Sequence, residues 1–493
     1  MKDRTSNSIG AAGPAPEWNL LPWTSIEKSV KKLRQRIFRA IKESRWNVAR
    51  SLMKLMLRSY FNLLLSVRAV TQRNSGKKTA GVDGEIALTP QARMALVQRM
   101  GEYSLWKVKP TMRIYIPKAG KPGQHRPLGI PTIRDRVAQA IVKNALEPGW
   151  EARFEPNNFG FRPGRSIHDA IEQCFLYLKG NSLRPWILDA DIKGAFDNIS
   201  HDHILEAIGP VPGHQLIRAW LKAGYVEADF FCETSSGTPQ GGIISPCLLN
   251  IALHGLARRL GPAYGCVVYA DDFIICASTR EKIEAARSTV EEWLRPRGLT
   301  LHPEKTRIVH IDDGFNFLSF SIRRYKGKCL IKPQKEKVLA FLANQRSWLN
   351  KHKQATASHI IWHFNKTLPG WSNHYSHVVS KQALNYVSSE IWKMIWRWCL
   401  RRHPNKGKKW VRKKYFDQRW RFRAHDGRQT VYLFDVNSVK IERHIKVKGH
   451  ASPDDPSLRD YWHDRETRRT TRARQRKVTR KNRTTTESDA RAV

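Results

Sequence analysis

The sequence is short of negative charge. Its 493 residues hold 43 Asp and Glu against 87 Lys and Arg, a net charge of +44. Solubility needs far less, so the imbalance points to a polyanionic partner with many phosphate contacts. No run of about 20 apolar residues occurs, which argues against a membrane-spanning helix. The N-terminus, Met1 to Ser8, has no apolar stretch of the kind that leads a secreted chain. Cysteine is scarce and odd in number. The seven thiols are dispersed, mostly in apolar settings, with no Cys-x-x-Cys pair. They read as reduced residues of a cytosolic protein and offer no zinc-ligand spacing. Apolar content of 41% still suffices for large cores, and the length predicts two or more domains.

The most informative segment is Tyr269-Ala270-Asp271-Asp272, inside the apolar run Cys266 to Cys276. Apolar residues on both sides of paired acids predict strand, turn, strand, with the carboxylates at the tip. Adjacent carboxylates repel, and a hard cation with oxygen ligands relieves that repulsion. The alternative is a solvated Asp-Asp turn. Upstream, Ile187 to Ile199 begins as a strand with Asp189 and Asp191 on one face by period two, then breaks at Gly194. Between these lies Gly237-Thr-Pro-Gln-Gly-Gly-Ile-Ile-Ser-Pro246, a tight loop expected to open an apolar helix from Cys247 to Leu260.

These three segments, in this order, resemble the palm of a reverse transcriptase. Further segments extend the likeness: Arg113 to Lys118, Arg126 to Arg136, Phe159-Gly-Phe-Arg-Pro-Gly-Arg-Ser166, Gly298 to Thr306 and Phe315 to Phe320. So do Gly370 to Tyr375 and Trp396 to Pro404. Together they resemble the reverse transcriptase/maturases of bacterial group II introns, over roughly residues 20 to 465. The resemblance implies an α+β right-hand polymerase, with fingers and a palm whose antiparallel sheet is backed by helices. A helical thumb/maturase domain and a basic C-terminal DNA-binding region follow. The expected divisions are a flexible 1–20, an N-terminal extension and start of fingers at 21–109, fingers at 110–182, palm at 183–333, thumb at 334–404, a DNA-binding region at 405–464 and a disordered basic tail at 465–493.

The resemblance also implies roles. Asp191, Asp271 and Asp272 would be catalytic and hold two Mg²⁺, with the Ile192 backbone oxygen as a further ligand. Lys118 and Arg126 would grip the triphosphate. Ala195, Phe196, Gln240 and Lys305 would line the nucleotide pocket, Phe196 as a gate against a ribose 2′-hydroxyl; its alternative is a core ring. Asp189 is taken as a solvated or salt-bridged acid. The implied partners are the group II intron RNA, target DNA, RNA template-primer and dNTPs, in a bacterial cytoplasm and away from membranes, with dimerisation open. Many family members end in a His-Asn-His endonuclease. This sequence has no cysteine after Cys399 and no such pattern after Pro453, so second-strand nicking is not expected. Two rivals are a host-adapted reverse transcriptase for phage defence or sequence diversification, and a splicing-only maturase.

Local patterns add detail. Ile26, Val30, Leu33, Ile37 and Ile41 follow a helical period, with Thr24 or Ser25 as cap, and a second helix is expected from Val48 to Val70. Leu384, Val387, Ile391, Ile395 and Trp398 mark a thumb helix. Most tryptophans there are expected in the core. Lys408, Lys409, Arg412, Lys413 and Lys414, interleaved with Trp410 and Tyr415, suit nucleic-acid contact; the alternative is a solvated charged face. From Arg465 the tail carries eleven basic residues against three acids, and order is expected to end near Pro453.

Overall fold

The computed structural model describes residues 17–101, 103, 108–117, 123–180, 183–425 and 429–471. Its strands are β1 (Thr111–Pro117), β2 (His125–Ile130), β3 (Trp186–Asp191), β4 (Tyr225–Glu227), β5 (Phe230–Cys232), β6 (Gly265–Tyr269) and β7 (Asp272–Ala277). Then come β8 (Arg307–His310), β9 (Phe315–Phe317), β10 (Phe320–Tyr325), β11 (Lys328–Pro333), β12 (Arg423–His425) and β13 (Thr430–Tyr432). The central sheet has the order β6-β7-β3-β8, antiparallel throughout.

Both faces of this sheet are buried. Leu188, Ala190, Val268, Phe273 and Ile275 face one core with the long helix Ile133–Glu151 and helix Ser245–Ala252. Ile187, Val267, Ile274 and Cys276 face a second core with helix Ile167–Leu178 and the β9–β11 sheet. That is why these strands read as continuous apolar runs, although antiparallel strands more often alternate with polar residues. The fold is mixed α+β, as expected. The β2-β1-β4-β5 sheet joins strands from both sides of residue 182, because β4 pairs in parallel with β1. The boundary expected between fingers and palm is therefore crossed by main-chain hydrogen bonds.

The segment expected to be the thumb holds helices Lys335–Lys351, Ala357–His374 and Lys381–Arg402, packed with Leu384, Val387, Ile391 and Trp398 inward. Trp362 is instead exposed beneath Lys366 Nζ, 3.3 Å from the ring centroid. No helix of the described residues is long and apolar enough to cross a membrane.

Five sequence expectations need correction, four of them in the body of the chain and one at its C-terminus. Trp18 is buried and packs on Trp23, so order begins before residue 20: a large ring gains more from burial than the backbone loses on ordering. The first helix starts at Trp23 after Pro22 without a side-chain cap, because proline ends the preceding extended segment and needs no N–H partner. The expected 48–70 helix breaks at Ser59, whose hydroxyl accepts from the Asn62 N–H and caps a new helix, Tyr60–Arg68, followed by a π-turn over Ala69–Arg73. The expected Cys247–Leu260 helix is two helices, Ser245–Ala252 and Leu256–Leu260, parted at left-handed Gly255.

The C-terminus differs most. Order does not stop near Pro453: residues 459–471 are helical. Arg465 donates to Asp169 Oδ1 and to the Ile445 carbonyl, and Trp462 Nε1 donates to the Ser452 carbonyl. Composition reads this stretch as a solvated basic tail because Asp169, the acid that Arg465 reaches, lies 296 residues away in the sequence. The same segment meets the first helix. Arg34 donates to Asp454 through Nε at 2.9 Å and Nη2 at 2.6 Å, to Glu147 at 2.9 Å and to Asn144 at 3.1 Å. Asp454 and Glu147 outweigh the cost of burial and hold the guanidinium firmly charged. Removing one partner of such a buried network costs about 3–5 kcal/mol, whereas exposed pairs contribute about 0–1 kcal/mol. Asp454→Ala should therefore lower stability by about 3 kcal/mol in denaturant titration, and Lys42→Ala, which breaks the more exposed pair to Asp455, by under about 1 kcal/mol. Equal losses would show that the Arg34 network is not the tie between the chain's two ends.

Candidate active site

The site forms where β3 ends beside the β6–β7 turn. Asp191 and Asp272 are register partners on adjacent antiparallel strands. Side chains so placed stand about 5 Å apart, where like charges destabilise a sheet. Ala270, at φ 60°, turns the hairpin and leaves Asp271 just before β7. The Ile192 N–H donates to the Asp271 carbonyl at 3.1 Å, and the His302 N–H donates to the Asp191 carbonyl at 2.8 Å. The backbone thus holds the three acids from two sides.

Electrostatics reflect that crowding. Burial, then Asp271 and Asp191, pushes Asp272 up to about 7. Burial and Asp191 also raise Asp271, while Lys305 and Arg126 oppose the rise. Lys305 Nζ sits 2.7 Å from Asp191 Oδ2, a cation already on one of the carboxylates. Asp189, next on the same face, is taken up by Arg307 Nε at 3.1 Å. Three oxygen-donor acids with partly unrelieved repulsion fit a hard divalent cation. Among the described residues, no three acidic, His or Cys donors already converge in ligating geometry, so binding requires the carboxylates to turn and Lys305 to yield.

A pocket lined by Phe196, Asp197 and Gln240 forms where two loops meet. Phe196 follows Ala195, which is buried, in the short helix Ala195–Asn198. The Thr238 N–H donates to the Phe196 carbonyl at 2.6 Å, and the Gly237 N–H to the Ile199 carbonyl at 2.7 Å. Gln240 Nε2 donates to both oxygens of Asp197, at 3.1 and 3.0 Å. A Cβ on Gly241 would stand 2.2 Å from the Gly129 carbonyl oxygen, so only glycine lets this loop reach β2. Arg126 is exposed on β2. Lys118 lies outside the described residues.

The basic cluster is elsewhere. Helix Lys408–Tyr415 is anchored by buried Val411 and Tyr415, and Lys408, Lys409, Arg412, Lys413 and Lys414 all face solvent. Arg412 lies over Trp420, 4.4 Å from its ring centroid, and Lys414 over Trp410 at 4.8 Å.

Sequence reasoning assigned no role to residues 157–162, yet they hold the hairpin. The Phe159 N–H donates to the Val268 carbonyl and the Val268 N–H to the Asn157 carbonyl, both at 2.9 Å. Phe161, at φ 57°, meets Phe196 edge-on with centroids 6.2 Å apart. Buried Arg162 pairs with Glu151 at 2.9 Å. Gly160 within an aromatic run was the legible signal of a close approach.

Comparison with known proteins follows this geometry. Residues 116–322 match the family described as reverse transcriptase (RNA-dependent DNA polymerase), and residues 18–100 match the N-terminal domain of reverse transcriptase. Residues 338–416 match the group II intron maturase-specific domain. Protein YkfC of Escherichia coli is 31% identical over 355 residues, covering 63% of this chain and 88% of that protein. The group II intron-encoded protein LtrA of Lactococcus lactis is 28% identical over 416 residues, covering 64% and 69%. The chain belongs to the group II intron-encoded reverse transcriptase/maturases. It is an RNA-directed DNA polymerase with a splicing role, and polymerases of this kind use a divalent metal.

One contact in this reverse transcriptase tests the hairpin's support. A Cβ on Gly160 would stand 2.3 Å from the Ala270 nitrogen. Gly160→Ala should displace the turn that carries Asp271 and lower kcat for DNA synthesis at least tenfold, with the far-UV dichroism unchanged. An unaltered kcat would mean the hairpin tolerates movement.

Proposed function

We propose that this chain copies RNA into DNA with Asp191, Asp271 and Asp272 as the ligands of two Mg²⁺, aided by the Ile192 carbonyl. The observation that carries this reading is the crowding of the three carboxylates, which leaves Asp272 near 7. When bound, the ions would lower the pKa of the primer 3′-hydroxyl and stabilise charge on the α-phosphate and leaving pyrophosphate. The protein's own residues do the positioning. Arg126 and Lys118 offset triphosphate charge, Arg126 with a planar fork. Phe196, held by Phe161 and the Thr238 N–H, occupies the space a ribose 2′-hydroxyl would need. Gln240, fixed on Asp197, borders the incoming nucleotide. Lys305 neutralises Asp191 and would have to yield to a metal bound there.

The second part of the proposal is RNA binding. The name of LtrA ties it to a group II intron, and we extend that to this chain: it holds intron RNA in a splicing-competent fold and, at a DNA target, extends a primer supplied by replication or another source. The exposed basic helix Lys408–Tyr415 supplies phosphate contacts, with Trp410 and Trp420 as flat apolar neighbours. A bacterial cytoplasmic setting fits such a ribonucleoprotein.

Single-nucleotide incorporation on an RNA template tests the first part. Asp271→Ala should lose on the order of a thousandfold or more in rate, the equivalent of several kcal/mol of charge stabilisation. In the same assay Phe196→Ala should admit ribonucleotides with a smaller loss of deoxynucleotide use. Wild-type rates from Asp271→Ala would refute the metal assignment, and an unchanged sugar preference would reduce Phe196 to packing. For the second part, Lys408, Lys409, Lys413 and Lys414 changed to Glu should weaken group II intron RNA binding. The slope of log K on log salt should flatten by about 0.7–0.9 per lost phosphate contact. Superimposable salt series would leave this helix a solvated face.

A further inference from the structure

One arginine near the aspartates stands without an acceptor. Arg113 sits on β1 opposite Gly129 of β2, and β4 runs along the other side of β1, where Thr111 faces Tyr225. Its guanidinium carbon lies 3.4 Å from the Tyr225 ring centroid. Its Nε is buried with no hydrogen-bond partner. Arg93, Arg136 and Arg165 also have a bare, buried Nε. Each of them places Nη donors on backbone carbonyls: Arg93 on Leu88, Arg136 on Gly76 and Thr79, Arg165 on Pro156 and Gly449. Arg113 makes no such bond, and no ion pair, among the described residues. Glu227, the acid of β4, acts instead on the Tyr115 phenol, which it raises.

A half-buried guanidinium without acceptors is costly, because its donors lose water and gain nothing in exchange. Stacking on Tyr225 holds the plane of the group and leaves its in-plane Nη donors for a ligand with paired oxygens. The packing around Arg113 gives no other reason for the arrangement.

The surroundings say which ligand. Arg113 lines the same cavity as Phe196, Asp197 and Gln240, with a volume of about 260 Å³. Away from Phe196 its wall carries Thr111, Glu233, Ser235 and Ser236, the last three exposed. The cavity thus offers a cation for a phosphate, and hydroxyls with a carboxylate for a sugar. An incoming triphosphate does not suit it, since Glu233 opposes its charge and Arg126 stands elsewhere for that role. A ribonucleotide of the template suits both ends: its phosphodiester has two free oxygens, and its 2′-hydroxyl both donates and accepts. RNA-directed synthesis brings such a unit beside the incoming nucleotide, because the two bases pair.

We propose that Arg113 is a positioning residue for the RNA template: its fork holds the phosphate of the nucleotide that is being copied, while Glu233 and Ser235 face that nucleotide's ribose. The inference rests on the reading of Phe196 and Gln240 as neighbours of the incoming nucleotide. Arg113 fixes the template strand across the cavity from them, so the base to be copied arrives in register with the dNTP.

The test is equilibrium binding of an RNA template annealed to a DNA primer, without dNTP, by full-length protein carrying Asp271→Ala. No chemistry is read, so the result stands apart from the metal assignment, and Phe196→Ala tests the nucleotide pocket separately. Methylphosphonate, which is uncharged, replaces one template phosphate at a time around the nucleotide to be copied. We expect one linkage at that nucleotide whose replacement weakens binding about tenfold or more, the size of a lost charge-assisted contact. Arg113→Gln should weaken binding of the unmodified template by as much, and should be indifferent to that one replacement. Its slope of log K on log salt should flatten by about 0.7. With Asp271 restored, the dNTP dissociation constant in single-turnover incorporation should hardly move. A scan in which Arg113→Gln is as sensitive as its parent at every linkage, or a loss confined to the dNTP constant, overturns the proposal. Should Arg113→Gln fail to fold, Arg113→Lys, which keeps the charge and removes the fork, is read in the same scan. A reduced sensitivity confined to that linkage then supports the contact, and a scan unchanged from the parent refutes it.

Discussion

The opposition of Asp191 and Asp272 across β3 and β7 is the constraint on which the rest of this structure depends. Two like charges facing each other at the end of a buried sheet oppose folding. The chain retains them and surrounds them with compensation. Lys305 reaches Asp191, Arg307 takes up Asp189, and Asp272 is held near neutrality. The proposed cation site rests on crowding acids that the fold cannot separate, because the same strands carry Leu188, Phe273 and Ile275 into the core.

The sheet explains the site's rigidity. Both its faces are covered, so β3, β6 and β7 cannot slip in register without moving apolar side chains between two cores. Residues 157–162 lock the hairpin from outside, and the 237–242 loop locks the Phe196 turn from the other side. The chain ends are drawn into the same framework. Asp454 near the end and Glu147 of the helix beneath the sheet meet on Arg34 near the start. The segment that composition assigns to nucleic acid therefore also acts as a strap. Its basic residues serve two ends: some face solvent, and others, such as Arg465, are used on buried acids.

Much of the site was legible in the sequence, and for a physical reason. Asp191, Gln240, Asp271 and Asp272 sit in short segments whose local pattern alone dictates strand, tight turn and hairpin. Helix existence was legible too, from apolar periodicity. Helix breaks were not. Ser59 as a cap and Gly255 as a left-handed break look ordinary within an apolar run, and only packing shows where the chain must bend.

What the sequence determined by itself was the chemistry available: three acids in hairpin and strand contexts, a large positive charge, reduced thiols and helical thumb periodicity. Tertiary structure alone decided which distant groups share a charge. Lys305 on Asp191, Asp197 beneath Gln240, Arg465 on Asp169 and the meeting of His168, His377 and His444 join residues that are tens to hundreds of positions apart. Sequence patterns report contacts within a few residues, where backbone geometry sets the spacing. Ion pairs and ring clusters depend on how elements pack against one another, and no local spacing encodes that.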